Sequence, residues 1–137
     1  MKRNKIFSLI VCLLVVISGC FIVGCKKDES SNENKPLAVI DGFSIESIEV
    51  FNVKDNYYSI AIGTKNTNEE SATFDYTQIH IMFNERELTH DGDDVLFEAG
   101  DYWKMSFSIN IGDSNLSIGD SVDVYYQDEL LKTVVVE

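Results

Sequence analysis

Tyr102-Trp103-Lys104-Met105-Ser106-Phe107-Ser108-Ile109-Asn110-Ile111 places an apolar residue at every second position. Trp103, Met105, Phe107, Ile109 and Ile111 fall on one side, and Tyr102, Lys104, Ser106, Ser108 and Asn110 on the other. A period of two belongs to a β-strand with one face in a core, whereas a helix of 3.6 residues per turn would scatter the five around its surface. The stretch predicts one long strand, with Trp103 as a core centre.

Shorter runs of the same kind lie on both sides. Tyr58, Ile60 and Ile62 alternate with Tyr57, Ser59 and Ala61, and Ile79, Ile81 and Phe83 alternate with His80 and Met82. From Phe43 to Val53 the parity breaks: Ile45, Phe51 and Val53 share one side and Ile48 and Val50 the other, which predicts a bulge or a sheet switch near Ser47. Val122, Val124 and Tyr126 precede a last run whose Leu131, Thr133 and Val135 share a face, and Gln127-Asp128-Glu129 between them predicts a hairpin. Turn-forming clusters separate the runs, among them Lys54-Asp55-Asn56, Asp91-Gly92-Asp93-Asp94 and Glu98-Ala99-Gly100-Asp101. About seven short strands in about a hundred residues, with no helical period, read as an all-β, immunoglobulin-like antiparallel β-sandwich.

The amino terminus has a different character. Lys2, Arg3 and Lys5 precede an apolar run from Ile6 to Val23, then Gly24 and Cys25, and then the wholly polar stretch from Lys26 to Asn34. A cationic start, an apolar core and a small residue before the cut form a secretory signal. Ile22-Val23-Gly24-Cys25 resembles the lipobox of bacterial lipoproteins. That resemblance implies cleavage between Gly24 and Cys25, acylation of the Cys sulfur by a palmitate-type chain, and an extracytoplasmic domain anchored in membrane lipid. Ile17-Ser18-Gly19-Cys20 fits the pattern too, so Cys20 is the alternative anchor, but cutting there would leave Phe21, Ile22 and Val23 at the head of the tether. An uncleaved membrane span is a further alternative, since Ile6 to Gly24 approaches the roughly 20 residues a spanning helix needs. The expected organisation is a signal peptide over 1–24, a lipidated Cys and polar tether over 25–36, and the sandwich over 37–137.

Charge and cysteine content narrow the function. All three cysteines (Cys12, Cys20 and Cys25) lie in or at the end of the signal, so the expected domain has no disulfide, thiol nucleophile or Cys-bound metal. Removing Lys2, Arg3 and Lys5 from the 11 basic residues leaves eight against 23 acidic ones, a formal charge of −15. Nucleic acid is an unsuitable partner for such a surface, because phosphate binding needs a basic footprint.

Residues that could carry chemistry are sparse. The sequence has no Gly-x-Ser-x-Gly, no Ser-x-x-Lys and no glycine-rich phosphate loop. His80 lies on a strand beside Met82, and His90 precedes a turn in which Asp91, Asp93 and Asp94 concentrate carboxylates. Oxygen-rich turns bind calcium, but Val95 occupies the third ligand position of an EF-hand and no Glu closes the loop. A solvated turn is the simpler reading, and no cofactor is expected. Tyr57-Tyr58 and Tyr125-Tyr126 are strand pairs in which Tyr57 and Tyr125 should face outward; with Tyr102 they are the candidate recognition residues.

The alternating strand from Tyr58, then Lys65-Asn66-Thr67-Asn68-Glu69-Glu70, then Phe74, resembles an immunoglobulin-like domain of unknown function found on secreted bacterial lipoproteins. It is similar to the sandwich of a mycobacterial immunoprotective extracellular antigen. Glu98-Ala99-Gly100-Asp101 ahead of the Trp103–Ile111 strand fits the same family. The resemblance implies fold and cell-surface location, and brings no catalytic residues. The expected function is a non-enzymatic, lipid-anchored module that binds a protein, peptide or envelope component. An immunity or sequestration lipoprotein that intercepts a cationic peptide is the alternative, and a metal-dependent hydrolase comes last.

Overall fold

The computed structural model describes residues 35–137. Ten strands run in chain order: β1 (Ala38–Ile40), β2 (Phe43–Lys54), β3 (Tyr57–Asn66), β4 (Ala72–Asp75), β5 (Ile79–Phe83), β6 (Arg86–His90), β7 (Asp94–Phe97), β8 (Tyr102–Asn110), β9 (Ser121–Tyr126) and β10 (Glu129–Val135). A single 3₁₀ turn, Tyr76–Gln78, joins β4 to β5.

The long strand expected from the alternation is β8, antiparallel to β3 with Ile60 opposite Phe107 and Ile62 opposite Met105. That register sets the apolar rows of both strands on one face, where Ile60, Ile62, Phe107 and Ile109 are buried. Trp103 corrects the expectation. It has the parity of the core residues, yet it is 48% exposed. Phe97 fills the position beneath it, its ring centroid 6.2 Å away and edge-on, and the indole N–H donates to Asp101 Oδ2 at 3.3 Å. The core is already filled at that end of β8, so the indole covers it from outside.

β2 carries the expected irregularity. Its register against β3 shifts between Ile45 and Ser47 and again between Asn52 and Lys54. The first shift returns Ile48 and Val50 to the core beside Ile45, all three fully buried, and leaves Val53 outward. The bulge also divides the outer edge of β2 between two partners. β1 occupies the part up to Ile45, and the chain terminus takes the rest, with Glu137 N–H donating to Val50 O and Asn52 N–H to Glu137 O.

The ladder order is β1-β2-β3-β8-β6-β5-β9-β10, with β4 and β7 forming a separate ribbon. β6 joins two sheets, since it pairs with β5 through Ile81–Leu88 and with β8 through Thr89–Asn110 and His90–Ile109. Setting aside β1 and the β4–β7 ribbon, β2-β3-β8 lies on one side and β6-β5-β9-β10 on the other. This is an immunoglobulin-type sandwich with its fourth strand on the side of the third, sixth and seventh. Six of those seven are runs the sequence leads one to expect; β6 (Arg86–His90), which joins the two sheets, has no alternating apolar run, and the three strands left aside are short.

β9 and β10 form the expected hairpin, but the face assigned to β10 is corrected. A register shift between Leu130 and Lys132 reverses the alternation, so Leu131, Val134 and Val136 are buried while Val135 is exposed. Between the sheets, Phe43, Phe74, Tyr76 and Phe97 make a chain of edge-on aromatic contacts, and Phe107 continues it from Tyr76 at 4.8 Å. Burying each such side chain stabilises the fold by about 1.5–3 kcal/mol.

Candidate functional site

The three candidate tyrosines do not form one patch. Tyr57 and Tyr102 share the outer face of β3 and β8, but they sit at opposite ends of the ladder, because Tyr58 pairs with Ile109 and Lys65 with Tyr102. Eight residues of strand separate Tyr57 from Lys65, about 27 Å. Tyr125 lies on the other sheet, opposite His80. Each outward tyrosine of the first pair is already engaged. The Tyr57 hydroxyl shares a 2.5 Å hydrogen bond with Ser108 Oγ. Tyr102 lies across Gly63, where a Cβ would meet its hydroxyl at 2.6 Å. Together they shelter Ser59 and Ala61, which are buried although they point away from the core.

The acidic turn is likewise divided. Asp91 Oδ1 accepts from Ser108 N–H at 2.7 Å, and Asp93 Oδ1 accepts from Asp94 N–H at 2.8 Å. Asp94 instead faces Asp75 across the β4–β7 ribbon. The Asp75 charge pushes the Asp94 carboxyl above its ordinary range, while the Thr77 hydroxyl holds Asp75 below its own. Among the described residues no three His, Cys, Asp or Glu side chains converge as a metal-holding group. Asp91, Asp93 and Asp94 therefore do not assemble into the candidate calcium site.

Both histidines have partners. His80 Nδ1 lies 2.5 Å from Glu87 Oε1 on the exposed face of β5 and β6. His90 accepts from Gly92 N–H at Nδ1 and donates from Nε2 to Ile79 O at 2.9 Å. That arrangement requires the neutral tautomer with its proton on Nε2. His90 is a strut between β5 and the turn after β6.

No protein-family model matches the chain, and no curated protein is similar enough to register as a relative. Gly24, Cys25 and Cys20, together with the signal expectation and the tether up to residue 34, lie outside the described residues.

Asn66 is the important polar residue that sequence reasoning passed over. It is fully buried. Its Nδ2 donates to the carbonyls of Glu70, Phe97 and Glu98, and its Oδ1 accepts from both nitrogens of Asn68. One side chain thus ties the loop after β3 to the turn before β8. The same loop holds the β1–β2 turn, since Thr67 N–H and its hydroxyl both donate to Gly42 O. A usable sequence signal existed for that turn. Asp41-Gly42 between apolar Ile40 and Phe43 is a strong two-residue hairpin mark, and both residues have positive φ.

Two of the surface grooves border the candidate residues or the β1 edge. One, of about 590 Å³, runs past Tyr57, His90, Asp91, Ser108 and Asn110. Its Tyr57, His90, Asp91 and Ser108 groups are the hydrogen-bonded ones just described. The other, of about 650 Å³, lies between β1 and the β9–β10 turn and is lined by Val39, Asp41, Tyr126, Gln127, Asp128 and Glu129, with Ile40 beneath. Among the described residues, Asp41, Asp128 and Glu129 in this second groove have no side-chain partner, and Val39 exposes apolar surface beside them, a combination suited to binding.

Proposed function

We propose that this chain is a lipid-anchored extracytoplasmic module that binds a protein, peptide or envelope component and performs no covalent chemistry. The observation that carries the reading is the commitment of the histidine, carboxylate and hydroxyl groups of the groove past Tyr57 and His90 to the fold. Both nitrogens of His90 are engaged with backbone, Asp91 accepts from Ser108 N–H, and Tyr57 is bonded to Ser108 Oγ. A general base must be free to reach a substrate proton, and these groups hold the groove walls together instead. The location rests on the sequence: Gly24-Cys25 after an apolar run, then polar residues 26–34. Residues 35–137 follow as a unit of their own. Kinship with the immunoglobulin-like domain of secreted bacterial lipoproteins belongs to this proposal.

One feature favours the narrower reading of a lipoprotein that intercepts a cationic peptide. The groove beside β1 carries Asp41, Asp128 and Glu129, and no Lys or Arg among the described residues lines it.

Growth with an alkyne-bearing palmitate analogue tests the anchor. Label should appear on the wild type and on Cys20→Ala and vanish from Cys25→Ala. Label lost only from Cys20→Ala would move the anchor, and label on the double variant would end the lipoprotein reading. Photo-crosslinking on intact cells tests the binding role. Turnover of an ester, peptide or glycoside that depends on His90 or Asp91 would overturn it.

A further inference from the structure

The ladder of the described residues ends in two unpaired edges, β1 at one limit and β10 at the other. The sheet curls so that these limits approach. Near the chain terminus the gap is closed, because Glu137 pairs with Val50 and Asn52, and Lys132 Nζ donates to Ile48 O. Beyond that closure the gap stays open as the groove between Val39 and the Tyr126–Glu129 turn. It is a seam in an otherwise continuous ring of strands.

We infer that an extended cationic peptide segment enters this seam, adds as a strand to the free edge of β1, and sets its Lys or Arg side chains against Asp41, Asp128 and Glu129. The inference rests on the binding-module reading above and specifies its site and ligand class.

Backbone geometry supports the docking mode. The two-residue Asp41-Gly42 loop makes Ile40 and Phe43 the hydrogen-bonded closing pair, so Val39, opposite Ser44, is a non-bonded pair with respect to β2. Its N–H and C=O therefore point away from β2, into the seam. Unpaired edge groups of this kind are the template for strand addition. The Val39 side chain is 65% exposed, a large apolar area for an edge residue of so short a strand. Natural edges are blunted by short strands, Lys, Pro or covering loops; Lys35-Pro36 stand just before β1, but its three strand residues, Ala-Val-Ile, carry no charge.

Charge selects the partner. Among the described residues the lining holds three carboxylates and no Lys, Arg or His. Burial raises the Tyr126 hydroxyl above its ordinary range, and the charges of Asp41 and Asp75 add to that shift. With β1 only three residues long, backbone bonds alone make a short ladder, so ion pairing must contribute much of the affinity and most of the on-rate.

The test uses the full chain in neutral detergent micelles and fluorescence anisotropy of a short labelled peptide alternating Lys with Thr. Three comparisons decide it: the same peptide N-methylated at alternate residues, the peptide with Glu in place of Lys, and the D128N/E129Q variant. Binding of the Lys peptide should weaken about tenfold between low and physiological salt. It should weaken by about tenfold again on N-methylation, which removes the ladder bonds and keeps the charge. The D128N/E129Q variant should lose a similar factor with an unchanged melting temperature, and amide shifts should concentrate at Val39 and Tyr126–Glu129. Equal binding of the N-methylated peptide would overturn strand addition. Shifts centred on Asp75 and Asp94 instead, or a second copy of the chain filling the seam in sedimentation, would overturn the site. Loss of all peptide binding, with a non-peptide envelope component still crosslinked on cells, would sink this inference and leave the binding module standing.

Discussion

The Tyr76 hydroxyl donates to Thr64 Oγ1 at 2.9 Å, joining the turn after β4 to β3 through the core, with both residues fully buried. Burial pushes the Tyr76 hydroxyl up to about 12 from 10.0, the hydrogen bond to Thr64 opposing the shift. The neutral form is the one the native state holds. Stability from this group is therefore complete below pH 10 and is lost as pH rises toward 12, because the unfolded chain ionises first. Alkaline denaturation followed by circular dichroism should begin in that window. Tyr76→Phe should lose about 1 kcal/mol at neutral pH, with the Thr64 hydroxyl left unpartnered, and its stability should fall less steeply across the alkaline range.

Gly42 has φ +79°, and a Cβ there would meet Asn68 Oδ1 at 2.0 Å. Both the backbone conformation and the space require glycine. Gly42→Ala should destabilise by about 2 kcal/mol or more in urea unfolding. Adding Asn68→Ala should restore the steric part and leave the conformational part, which a double-mutant cycle separates.

Asn66→Asp should be more damaging than either. The exchange replaces the donor that serves the carbonyls of Glu70, Phe97 and Glu98 with an acceptor, inside a fully buried site. A loss of about 3 kcal/mol or more is expected. Hydrogen exchange should locate the loosening in residues 66–72 and 97–101.

Asp94→Asn should raise stability at neutral pH. Asp75 stands opposite Asp94 in the ribbon, and the raised Asp94 carboxyl marks repulsion in the charged form. That penalty is absent when Asp94 is protonated and grows as pH rises through its native titration. The stabilising effect of the substitution should accordingly shrink toward acid pH and fade in high salt, measured by thermal unfolding.

Much of the sandwich was legible in the chain, because strand parity is a local property. Ile79, Ile81 and Phe83 face the core as their alternation says, and the parity break before Ile48 marks the bulge of β2. β1, β4 and β7 were not legible, since three or four residues hold too few alternations to stand out from loops, and neither was β6, where Leu88 alone is buried. The recognition residues were half legible. Tyr57 and Tyr102 do face outward, but a sequence has no means of placing them at opposite ends of one ladder with Tyr125 on the other sheet.

By itself the chain determined the fold class, the inward and outward faces of most of its long strands and the acidic composition, because each depends on neighbouring residues alone. The tertiary structure decided the rest. Trp103 is outside because Phe97, distant in the core order, already fills the space beneath it. Val135 is outside because β10 must shift its register to stay paired with β9. The seam between β1 and the β9–β10 turn exists because two ends of the strand order are brought together by pairing of the chain terminus with β2. Packing and edge closure are properties of contacts between remote residues, and only the folded chain contains them.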